Sequence, residues 1–116
     1  MAVRPPQFTK PADKDPLAAA LEQEVFSEMA STLSRLTTKL QTALEQLSEA
    51  ENDPDASDEH RLTRLAEAGE ALWHVIIQRE LCGLRRHKEF NDHMGVPKAV
   101  RLSMGPAVST KARARS

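Results

Sequence analysis

The stretch FSEMASTLSRLTTKLQTALEQLSEA, residues 26–50, decides the fold. Its apolar residues Phe26, Met29, Leu33, Leu36, Leu40, Ala43, Leu47 and Ala50 recur at alternating spacings of three and four. That spacing keeps them on one side of a helix for more than three heptads. The far face is rich in Ser, Thr and Gln, and no glycine or proline interrupts it before NDPDASD. The stretch therefore reads as a long amphipathic helix with a seam made for a partner helix.

Working upstream, Asp15-Pro16 supplies the start. An aspartate at the N-cap accepts one of the orphan N–H groups of the first turn, and proline at the first helical position has no N–H to leave unpaired. The residues before it, RPPQFTKPADKDP, complete a set of four prolines within the first sixteen positions. Residues 1–14 are expected to form an extended, polyproline-like arm with Phe8 as its strong apolar anchor.

Working downstream, Asn52 to Asp58 gathers turn and capping residues into a short loop, so the first helix is expected over 16–51 and a second from 58. Gly95 followed by Pro97 reads as the stop of that second helix, which gives it the span 58–94. The intervening LCGLRRHKEFNDHMG, residues 81–95, then belongs to the helix and its end, with RRHK in the last turns, where positive charge is favoured. The tail, 96–116, is expected to hold a short turn near Lys98 to Met104 and to be disordered after about 106.

On the second helix Leu62, Leu65, Ala66, Gly69, Leu72, Trp73, Ile76, Ile77 and Leu84 form an arc wider than one coiled-coil seam. Two helices of about 35 residues make a thin rod about 50 Å long with little enclosed core. The expected architecture is therefore all-α: an antiparallel helical hairpin that dimerises into a four-helix bundle, with Trp73, Ile77 and Leu84 at the dimer interface. Gly69 and Gly83, both on the arc, suggest close backbone approach, since an interior helical glycine costs about 1 kcal/mol relative to alanine.

Glu80 and His87 break the apolar pattern. A hairpin folded about residues 54 and 55 sets Met29 near Glu80, Phe26 near Gly83 and Glu22 near His87. The expectation is a paired, partly buried polar layer of Glu22, Glu80 and His87 that fixes helix register, or a fraying end where these groups reach water. A metal site is the weaker reading, because di-iron bundles use Glu-x-x-His whereas this chain has only Glu-x-x-x-His, at Glu70/His74 and Glu89/His93. No metal ligand, catalytic residue or cofactor is assigned. Cys82 falls opposite the arc and reads as an incidental surface thiol with no base beside it.

Charge is unevenly distributed. Residues 16–60 carry ten acids against Arg35 and Lys39, while 61–116 carry eleven bases against five acids. Acids at helix starts and bases at helix ends account for most of this. The other reading is phosphate binding by Arg85, Arg86, Lys88, Lys98, Arg101 and the terminal KARARS. Aromatic residues at 3%, with tyrosine absent, leave little for base stacking. No apolar run is long enough to span a bilayer, and a single cysteine suits a reducing compartment, so a cytoplasmic protein is expected.

The segment GVPKAVRLSMG, Gly95 to Gly105, resembles the ending of small uncharacterised bacterial helical proteins. That resemblance covers about a tenth of the chain and implies no activity, so no residue role is taken from it. The functional expectation is a non-enzymatic, homodimeric helical interaction or scaffold protein that meets a further protein partner, with a nucleic-acid-associated protein as the alternative.

Overall fold

A computed structural model describes residues 15–115; the expected arm, 1–14, lies outside the described residues. Among those residues there are five helices and no strand. The first, α1, spans Pro16–Asn52, and α2 spans Asp58–Leu81. Asp15 caps α1 by accepting the Ala18 N–H at 2.7 Å. Ser57 caps α2 by accepting the His60 N–H at 3.0 Å, with Asp58 and Glu59 in the positive first turn.

The loop between them is held from both sides. Asp53 accepts the Asp55 N–H at 2.9 Å in an Asx turn, and Arg61 donates to the carbonyls of Ala50 and Asp53 at 3.1 and 2.6 Å. The arginine thus satisfies backbone acceptors that the end of α1 leaves open. The expected register holds along the hairpin. Near the loop Arg64 donates to Gln46 at 3.1 Å, and far from it Gln78 Nε2 donates to the Met29 carbonyl at 3.2 Å.

Within α1, Leu40, Ala43, Leu47 and Ala50 are buried and Leu33 and Leu36 are partly so, so the seam works as the sequence implies. Its upstream end does not: Phe26 is 65% exposed.

Two boundaries differ from the sequence reading. The second helix stops at Leu81 rather than running to Met94, because Gly83 takes the left-handed conformation at φ +82. The Gly83 N–H bonds to the Glu80 carbonyl at 3.0 Å and the Leu84 N–H to that of Arg79 at 2.8 Å, which is a Schellman closure. Nothing lies within 4 Å of where a Cβ on Gly83 would sit, so this glycine turns the chain and does not serve close packing. A separate helix, α3, follows over His87–Met94 and ends at Gly95, φ 68, with the same pair of bonds.

The second difference is the tail. Instead of disorder after 106, α4 spans Lys98–Leu102 and α5 spans Ala107–Arg115, both packed on α2. Two features of α2 hold them. At Gly69 an added Cβ would collide with the Ser103 carbonyl group, lying 2.8 Å from its carbon, so the missing side chain lets the end of α4 rest on the helix backbone. The close approach expected at Gly69 exists, and its partner is Ser103. Glu70 then accepts the Ala107 N–H at 2.8 Å, placing a carboxylate at the positive start of α5. Thr110 donates to the Ser103 carbonyl at 3.1 Å, and Lys111 pairs with Glu59 at 3.7 Å.

The core follows from this arrangement. Leu40, Leu47, Ala68, Ala71, Leu72 and Val75 meet Val96 and Val100, with Phe90 and Met94 packed against them. Mid-way along, α2 buries Ala66, Ala68, Gly69, Ala71, Leu72 and Val75, residues spread around most of its circumference. Such a helix is central rather than one-sided. A share of the breadth expected to await a second copy is covered by the chain's own C-terminal helices.

Candidate interaction surface

The register fixes where the hairpin runs out. The Met29 carbonyl meets Gln78 and lies 4.0 Å from the Cys82 sulfur, so Cys82 faces α1 and is not an incidental surface thiol. Residues of α1 before Met29 therefore extend past the end of α2. This is the part of α1 that carries exposed apolar side chains: Leu17, Leu21, Val25 and Phe26. With Ala18 and Glu22 the last three of these line a shallow groove on the helix surface. Glu22, Glu24 and Glu28 accompany the groove, and no Lys or Arg occurs between Asp15 and Ser34.

At the same end, the turn between α2 and α3 forms an elbow organised by Arg79. Its guanidinium lies 4.3 Å over the Phe90 ring, donates to the Arg86 carbonyl at 3.3 Å and donates to His87 Nδ1 at 3.5 Å. His87 Nε2 lies 3.2 Å from Glu80 Oε1. His87 thus sits between the Arg79 guanidinium at Nδ1 and the Glu80 carboxylate at Nε2. Around this cluster Ile77, Leu81 and Leu84 are exposed, and Leu84, Gly83, Arg79, Arg85 and Arg86 line a second shallow groove.

Two of the three residues of the expected polar layer therefore meet, and neither is buried. Glu80 and His87 meet because the Gly83 turn folds α3 back, and the Glu80 side chain stays 49% exposed. Glu22 is exposed on the overrunning stretch of α1. Of the two expectations burial fails and the carboxylates reach water, because α2 ends before it can cover that stretch. Among the described residues no group of three or more His, Cys, Asp or Glu could hold a metal ion.

The proposed interface residues divide. Ile77 and Leu84 are each 42% exposed, whereas Trp73 is partly buried beside His74, ring centroids 5.3 Å apart. The basic residues divide too. Lys88 and Arg101 both grip Asp92, at 3.3 and 3.0 Å, and Arg101 also donates to the Val96 carbonyl at 3.1 Å. The hydrogen bond from Arg101, then that from Lys88, holds the Asp92 carboxyl below its ordinary value. Arg85, Arg86 and Lys98 are exposed.

Sequence reasoning missed Arg79 and the roles of Glu70 and Gly83. The last left a trace in LCGL: a glycine followed by an apolar residue is the pattern of a Schellman end. The other two act through partners whose positions depend on that turn.

A family model matches residues 7–113, a span that takes in α1 to α4 entirely and most of α5. The chain belongs to DUF6665, a family of unknown function. The match reaches past the hairpin, so the C-terminal helices that fold over α2 lie within the DUF6665 region along with the overrunning stretch of α1 and the elbow. No curated protein and no solved structure matches the chain. No described helix of this DUF6665 member is long and apolar enough to cross a membrane.

Proposed function

We propose that this chain is a non-enzymatic helical interaction protein that acts as a cytoplasmic homodimer, offering a scaffold to a further protein partner. The observation that carries the reading is the exposed apolar side chains at one end of the hairpin, Leu17, Leu21, Val25 and Phe26 on α1 with Ile77, Leu81 and Leu84 at the elbow. Apolar patches of this kind, rimmed by charge, mark protein contacts. Ile77 and Leu84 stay in the interface; Trp73, partly buried, has a smaller share. The lone thiol suits the reducing interior of a cell.

Native mass spectrometry of untagged full-length protein, released gently from cells, tests this. The expected spectrum holds two copies of the chain, with or without a further protein. A single copy that neither pairs nor carries a protein contradicts it.

Nucleic-acid association is the second reading, supported by exposed Arg85, Arg86 and Lys98. It predicts binding to DNA or RNA that weakens steeply with salt as counterions are released. Absence of binding at low salt ends it.

A further inference from the structure

The apolar stretch of α1 and the elbow carry opposite charge. From Asp15 to Ser34 the chain holds Asp15, Glu22, Glu24 and Glu28 and no base, with Arg35 reaching only Glu28 among them, at 3.9 Å, whereas the elbow holds Arg79, Arg85 and Arg86 against Glu80, Lys88 being paired with Asp92. Their apolar residues are equally suited: Leu17, Leu21, Val25 and Phe26 on one side, Ile77, Leu81 and Leu84 on the other, all exposed. Resting on the homodimer reading, we propose that the occupant of each surface is a second copy: the α1 stretch 17–28 of one copy lies on the α2–α3 elbow of the other, reciprocally about a two-fold axis.

Three physical points favour this arrangement. Two α1 stretches packed directly on one another would bring acids against acids, which opposes association. Among the described residues the α1 stretch cannot fold back onto the elbow of its own chain, because α1 is an unbroken helix from Pro16 with no internal glycine or proline to bend it. In the single chain Phe26 and Leu84 accordingly remain 65% and 42% exposed. Finally, both surfaces lie at the same end of the molecule, where Met29 meets Cys82. A two-fold axis at that end forms both contacts at once, doubling the apolar area and the charge pairs in one association step. The other exposed large apolar residues lie outside both surfaces, Leu102 on α4, Val108 on α5 and Met104 between them.

A pair of charge reversals in the full-length chain tests the exchange. In E24K/E28K the α1 stretch becomes basic, and in R85E/R86E the elbow becomes acidic. Each variant alone sets like charges together in both contacts, so its dimer dissociation constant should rise at least about tenfold over the unmutated chain by sedimentation equilibrium at low salt. Mixed in equal amounts, the two variants restore complementarity in both contacts, and a heterodimer of near-original affinity should form. Circular dichroism establishes that each variant is folded.

If both variants keep the original dimer affinity, or if E24K/E28K recovers its affinity with the unmutated chain rather than with R85E/R86E, the exchange is overturned while the homodimer reading stands. A monomeric unmutated chain overturns both.

Discussion

At Gly69 a side chain as small as a methyl would strike the Ser103 backbone, which cannot swing aside as the end of a flexible side chain could. Gly69→Ala normally gains about 1 kcal/mol of helix propensity. Here it should destabilise by about 1–3 kcal/mol, the range for overpacking a filled contact. A lower urea midpoint checks the sign; a raised one would contradict the packing. Asp92 supplies a second residue-scale prediction. Arg101 and Lys88 lower its folded-state pKa, so the stability it contributes is present above its unfolded value and is lost as pH falls through the folded one. Asp92→Asn should therefore lower stability at neutral pH and show a smaller further loss below about pH 4 than the unmutated chain, near the ordinary carboxylate range. Parallel denaturation midpoints across that range would contradict the clamp.

At the scale of elements, α5 is the one whose order depends most on polar anchors. Its start rests on the Glu70 carboxylate, 37 residues away in the chain, and its body on Thr110 and Lys111. Glu70→Ala removes a cap of about 1 kcal/mol. It should raise hydrogen exchange in 107–115 well before it affects α1, whereas uniform exchange would mean that α5 is not separately anchored. What was legible in the sequence follows the same division. Leu33, Leu36, Leu40 and Leu47 gave α1 its seam and the hairpin its register, because a period sustained over many turns outweighs local noise. Asp15 and the 52–58 loop were legible because capping chemistry is local. The elbow was not, because Ile76, Ile77 and Leu84 keep a helical spacing across Gly83, and a glycine within a helix is tolerated at modest expense. Nor was α5, since PAVSTKARARS has little apolar content and its partners on α2 are identified only by the fold. Of the candidate surface, Ile77, Leu84, Arg85 and Arg86 were legible, while the exposure of Leu17, Leu21, Val25 and Phe26 follows from α2 ending early.

For the whole molecule, the C-terminal helices change what an interface would have to do. With α4 and α5 on α2, the chain covers its own middle and is left with an open end where α1 overruns. Association at that end needs a few apolar side chains shielded from water and two charge-matched contacts, rather than the full length of a four-helix bundle. The measurement that tests this most directly is sedimentation equilibrium of the full-length chain and of Leu21→Glu at micromolar concentration. The unmutated chain should have twice the 12.9 kDa of a single copy, and Leu21→Glu, folded by circular dichroism, should have the single-copy mass. A single-copy mass for the unmutated chain, or an unchanged dimer for Leu21→Glu, would contradict association through the open end.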